Sequence, residues 1–73
     1  MEELSYEITE KIGQISQSTK GWVRELNLVK WNEREAKYDL RDWDSEHQKM
    51  GKGITLTNDE IKRLKELLND IAV

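Results

Sequence analysis

Gly53-Ile54-Thr55-Leu56-Thr57-Asn58-Asp59-Glu60-Ile61 decides the fold, because within this stretch the chain changes its apolar period from two to 3.6. Ile54 and Leu56 alternate with Thr55 as in a strand. Thr57 to Glu60 then reads as a capping box: the Thr57 hydroxyl accepts from the Glu60 backbone N–H, and the Glu60 carboxylate accepts from that of Thr57. Leu56 before the cap and Ile61 after the box occupy the two staple positions. From there Ile61, Leu64, Leu67, Leu68 and Ile71 recur at three- and four-residue spacing. They form an apolar stripe, with Lys62, Arg63, Lys65, Glu66 and Asn69 on the outer face of the helix.

Working toward the N-terminus, alternation recurs three times. The third strand, Ala36 to Trp43, sends Tyr38 and Leu40 to one face and Lys37, Asp39, Arg41 and Trp43 to the other. The second, Trp22 to Trp31, separates Leu26 and Leu28 from Asn27, Val29 and Trp31. In the first, Leu4, Tyr6, Ile8 and Ile12 alternate with polar residues, and Gly13 shifts the parity to Ile15, which marks a bulge. Ser16 to Gly21 has the composition of a hairpin loop, Asn32 to Glu35 is a short charged turn, and Asp44 to Lys52 is a polar loop before a fourth strand at Gly53–Leu56. The sum is an α+β domain over residues 1–73: a four-stranded antiparallel sheet followed by one C-terminal amphipathic helix on one side. The other side of the sheet is expected to stay open.

Composition bounds the chemistry. A chain of 73 residues buries only about 60% of the surface its unfolded form exposes, too little for a large enclosed active site. Below about 70–80 residues the usual supplements to a small core are disulfides, metals or oligomerisation. With no Cys and only His47 as a histidine, the first two are excluded and self-association is expected. No apolar run reaches membrane-spanning length and Met1-Glu2-Glu3-Leu4 is unlike a secretory leader, so the chain is read as cytoplasmic. Its net charge of −3 argues against a purely electrostatic nucleic-acid binder. The acid is concentrated at the start, however, where Glu2, Glu3, Glu7 and Glu10 stand without a base. The remainder is nearly neutral.

The face opposite Tyr38 and Leu40 carries Trp31, Lys37, Arg41 and Trp43, with Lys11 a candidate from the first strand. Aromatic rings set between cations on a sheet face make a platform on which unpaired bases stack while phosphates meet the cations. The alternative is that the two Trp residues pack at an edge or in a dimer interface, since Trp is usually mostly buried. Glu25 and Asp39 share this face.

From Leu26 onward, the order Leu26-Asn27-Leu28-Val29-Lys30-Trp31, turn, Lys37-Tyr38-Asp39-Leu40-Arg41-Asp42-Trp43, loop, Gly51-Lys52-Gly53-Ile54-Thr55-Leu56-Thr57, helix, resembles the transcriptional coactivator family called positive cofactor four, in particular its small bacterial YdbC-type members. Lys52-Gly53-Ile54-Thr55-Leu56 before the capped helix is the most specific piece. The resemblance implies a curved sheet, a homodimer through helices and strand ends, and sequence-tolerant binding of single-stranded DNA, with RNA as a further candidate ligand and a protein of the transcription machinery as a further candidate partner. It implies Trp31 and Trp43 at family aromatic positions, and Arg41 and Lys52 at family basic ones. Lys20 and Lys30 are lesser candidates. Three departures stand out: Leu4 to Gly21 matches poorly, Val29 replaces a base, and the family's basic Ser/Lys-rich tail has no counterpart here.

No cofactor, metal site, membrane partner or enzymatic activity is expected. Glu33/Glu35 and Asp42/Asp44 fall in turns and read as solvated charge, His47 as a solvated loop residue, and Lys62, Arg63 and Lys65 as a helix surface interrupted by acids. The leading reading is non-enzymatic single-stranded-nucleic-acid binding in transcription, replication or repair, with nucleoid association. The rival is a protein-interaction module that docks a partner on the open sheet face.

Overall fold

The computed structural model describes residues 5–73; Leu4, the expected start of the first strand, lies outside the described residues. Strands β1 (Tyr6–Gln17), β2 (Val23–Trp31), β3 (Lys37–Trp43) and β4 (Met50–Leu56) form one antiparallel sheet in the order β1-β2-β3-β4, followed by helix α1 (Asn58–Asp70). Each strand pairs with its sequence neighbour, as short connections dictate. Both halves of the capping box form, at 3.1 Å from Glu60 N to Thr57 Oγ1 and 2.9 Å from Thr57 N to Glu60 Oε1. Asp59 and Glu60 in the first turn complement the helix dipole.

β1 departs most from its alternation. Its register against β2 slips between Ile8 and Glu10, between Lys11 and Gly13, and between Gln14 and Ser16, where a single shift at Gly13 was expected. Each slip inserts a residue, bends the strand and resets its parity. Tyr6 and Ile8 therefore stand opposite Trp31 and Val29, whereas Ile12 and Ile15 line grooves on the helix side. The expected common face of Tyr6, Ile8 and Ile12 does not hold.

β4 begins at Met50, so Lys52 belongs to a strand rather than to the loop. Gly51 and Gly53 have low strand propensity, which is why the segment reads as loop. Gly53 is dictated by its neighbours: a Cβ there would stand 2.6 Å from Arg41 Cβ and 2.7 Å from the Leu40 carbonyl oxygen. Between the pairs Arg41–Gly53 and Trp43–Met50, two residues, Gly51 and Lys52, stand opposite Asp42.

The core lies on the unexpected side. Val29, Asn27, Asp39 and Trp43 are fully buried, with Val23 and Glu25 nearly so, and all belong to the face opposite the helix. On the helix face Leu26, Leu28, Tyr38 and Leu40 are only half-buried, and α1 contains no buried residue. The expectation of a helix-sealed core with an open opposite face is thus reversed. A single helix that packs only on β3 and β4 cannot cover four strands. It leaves a groove of about 300 Å³ between Ile15, Leu26, Leu40, Leu56, Ile61, Leu64 and Leu68, with Ile54 and Ile71 exposed beside it. Among the described residues no helix is long and apolar enough to cross a membrane.

Candidate nucleic-acid interface

Three aromatic rings organise the face opposite the helix. Tyr6, on edge strand β1, reaches Trp31 on β2 at 5.9 Å between ring centroids and Trp43 on β3 at 5.4 Å. The Arg41 guanidinium lies over Trp31, 5.1 Å from the ring centroid, within cation–π range. Trp31 is half-buried, with its indole Nε1 enclosed and without a hydrogen-bond partner among the described residues. Trp43 is 0% exposed, enclosed between Tyr6 and His47, so in this arrangement no face of its ring is open to a base.

Beneath the rings lies an ionic framework. Arg41 donates from Nε to Asp39 Oδ1 at 3.0 Å and from Nη2 to Asp39 Oδ2 at 3.1 Å, and the Thr55 hydroxyl donates to Oδ2 at 3.0 Å. Arg41 Nη1 donates to the Gly51 carbonyl at 3.1 Å. This fork-to-fork pair satisfies a fully buried carboxylate. Arg41 is therefore committed to joining β3 to β4 and propping Trp31, rather than standing free for a phosphate.

The remaining cations divide by register, since cross-strand partners share a face. Lys37 has the parity of Asp39 and Arg41, and Lys11 stands opposite Asn27; both are exposed on the aromatic face. Lys30, opposite Glu7, has the parity of Leu28 and belongs to the helix side. Lys20 sits in the β1–β2 turn, where Ser18 Oγ accepts from the Lys20 and Trp22 N–H groups and Gly21 takes φ +88°. Lys52 is exposed at the β3–β4 irregularity, where strand parity assigns it to neither face. The structure thus brings together Trp31, Arg41, Trp43, Lys37 and Lys11, and scatters Lys20, Lys30 and Lys52.

Two residues that the sequence left aside complete the face. Tyr6 reads there only as a first-strand apolar residue. His47, expected in solvent, is half-buried: its imidazole stacks on Trp43 with centroids 5.7 Å apart, and its Nε2 lies 3.0 Å from both carboxylate oxygens of Glu25. A carboxylate only accepts, so Nε2 carries the hydrogen. The Asn27 side-chain amide also donates to Glu25 Oε1, at 3.1 Å. Burial pushes the Glu25 carboxyl up, but the bonds from Asn27 and His47 and the charges of His47 and Lys11 outweigh it and hold it below its ordinary value. The spacing of Glu25 and His47, on different elements, carries no local pattern that announces this pair. The Asp42/Asp44 pair is structural: Asp42 binds Arg24, whose hydrogen bonds hold its carboxyl below the usual range, and Asp44 Oδ1 accepts from the Gln48 and Lys49 N–H groups.

The described residues thus form an antiparallel sheet with a single C-terminal helix and set aromatic rings among cations on the face away from that helix. The chain belongs to the transcriptional coactivator p15 (PC4) family, whose family model matches residues 18–67. A protein of Treponema pallidum (strain Nichols), described only as uncharacterized, is 44% identical over 72 residues, covering 99% of this chain and 85% of that protein. The family match begins after β1, so Tyr6 and Lys11 lie outside it, whereas the Treponema protein extends over them.

Proposed function

We propose that this protein binds single-stranded DNA, largely irrespective of sequence and without enzymatic activity, and serves transcription, replication or repair in the cytoplasm at the nucleoid. The observation that carries this reading is the half-buried Trp31, braced by Arg41 and flanked on the same face by exposed Lys11 and Lys37. A base stacked on an aromatic ring contributes about 1–3 kcal/mol, and every base has a π-face to offer. The lysines meet the phosphates on either side. Family membership supports the same ligand.

The active species in this reading is a homodimer. The helix face exposes Ile15, Ile54, Leu68 and Ile71 around an apolar groove, more apolar surface than a small monomer usually leaves in water. A second copy laid on it by a two-fold axis offers the same surface in return. Sedimentation should then give twice 8.7 kDa at micromolar concentration. Fluorescence polarisation with labelled oligo-dT, against a duplex of equal length, tests the ligand: tight binding of the single strand and weak binding of the duplex is expected. Failure to bind oligo-dT at low salt and micromolar protein would overturn the reading in favour of a protein-docking module.

A further inference from the structure

We propose that the corner of the aromatic face formed by Glu25, Asn27 and Trp43 is a pocket for a guanine base, and that His47 fills it as an internal stand-in while no nucleic acid is bound. The inference rests on the single-stranded-DNA reading and adds a base preference to it.

His47 already does what a bound base would do. Its flat ring stacks on Trp43 at 5.7 Å and 30°, and its edge places one N–H donor midway between the two oxygens of Glu25, 3.0 Å from each. The backbone delivers the ring there in the left-handed conformation, φ +59°, unusual for a residue other than glycine. Three contacts tie the residue to the sheet: the stacking on Trp43, the ring's bond to Glu25, and the Tyr6 hydroxyl donating to the His47 carbonyl at 3.1 Å. The other hydrogen bonds of the loop, from Asp44 N to the Lys49 carbonyl, from His47 N to the Asp44 carbonyl and from Gln48 N and Lys49 N to Asp44 Oδ1, are local, so displacing the His47 ring breaks no bond of the strand ladders. In the same corner, Asn27 Oδ1 and Trp43 Nε1 are buried and have no hydrogen-bond partner among the described residues. The site therefore holds an aromatic floor, a two-oxygen acceptor, a free acceptor and a free donor, of which His47 satisfies only the first two.

Guanine fits that set better than the other bases. Its Watson–Crick edge carries two adjacent donors, N1–H and the N2 amino group, which match both oxygens of one carboxylate. Thymine offers a single N–H between two carbonyls that the carboxylate repels. Adenine and cytosine present one amino group beside a ring acceptor. Lys11, opposite Asn27 in register and with its charge already acting on Glu25, offsets the repulsion between that carboxylate and the backbone phosphate of an entering nucleotide. When the base enters, His47 leaves, and the enclosed Trp43 becomes a stacking surface.

The test compares a labelled oligo-dT about a dozen nucleotides long with the same strand carrying one central dG, and with a third carrying deoxyinosine, which lacks the N2 amino group. Polarisation titrations of the full chain should show the dG strand binding roughly tenfold tighter than oligo-dT, the value of one good bidentate base contact, with inosine between. Glu25→Gln should erase the difference between the dG and dT strands, and His47→Ala should tighten the dG strand several-fold by removing the competitor, with circular dichroism checking both folds. Equal affinity of wild-type protein for the dG and dT strands overturns the pocket and leaves the single-stranded-DNA reading standing. A His47→Ala variant that is folded but binds the dG strand more weakly overturns the stand-in role. Binding of no strand removes both readings together. Should Glu25→Gln fail to fold, the inosine comparison on the wild-type protein and the His47→Ala titration still decide.

Discussion

The two faces of the sheet invert the usual division of labour. The face opposite the helix is rich in charge and polar groups, yet among the described residues it contains every fully buried side chain, the Asp39 carboxylate included. The helix face carries an apolar groove, yet it leaves Ile15, Ile54 and Leu68 more than half exposed. A polar group can be buried when its bonds are complete, as those of Asp39 to Arg41 and Thr55 are. An apolar group stays exposed only when nothing arrives to cover it. The contrast teaches that one face is covered by the chain's own rings, while the apolar groove on the other is covered by no other element of the described residues.

The largest effect is expected where the ring-covered face is broken. Arg41→Ala leaves a fully buried Asp39 without its counter-ion and should cost about 3–5 kcal/mol, read as a fall in the urea midpoint. A loss below about 1 kcal/mol, the ordinary value of an exposed pair, would mean that the aromatic face is not the core. On the other face, the proposed homodimer requires that Leu68→Asp sediment as a species of 8.7 kDa. In the wild-type protein the melting temperature should rise with protein concentration, because association stabilises only the folded chain. Concentration-independent melting would sink the idea that the helix face is shared.

Within the aromatic face the contrast is between ring and charge. Trp31→Ala should weaken oligo-dT binding by about 1–3 kcal/mol at low and high salt alike. Lys37→Ala should instead lower the slope of log affinity against log salt by about 0.7, the share of one phosphate contact on a single strand. If both substitutions act only through the slope, Trp31 is not a stacking surface.

The smallest effect concerns pH. The Glu25 carboxyl is held below its ordinary value of 4.5, so its contribution to stability is complete above that value and is lost as the pH falls through the lower, folded one. As the pH falls below the ordinary value of 4.5, the wild-type melting temperature should fall more steeply than that of Glu25→Gln. Parallel curves would show that the Glu25 bonds to Asn27 and His47 contribute nothing in the folded state.

Much of this was legible in residues 22–61. The capping box at Thr57 and Glu60 is a local device, read from four consecutive residues, and it forms as expected. Alternation in β2 and β3 put Trp31, Lys37, Arg41 and Trp43 on one face, and their register confirms it. β1 was less legible, because three slips each reset its parity and only the one near Gly13 carries a residue that signals it. Lys52 was placed in a loop because glycines flank it.

By itself, then, the sequence determined what is local and periodic: four strands in meander order, the helix and its start, and the face membership of β2 and β3. Only the tertiary structure decided which of those faces would be buried, that Arg41 would be tied to Asp39 rather than left free for phosphate, and that His47 would cross from its loop to cap Trp43 and meet Glu25. The physical reason is that periodicity reports which side chains point together, whereas burial depends on what is brought over them from elsewhere in the chain. Here Tyr6 from the edge strand and His47 from the β3–β4 loop cover one face, and a single helix lying on β3 and β4 is too narrow to cover the other.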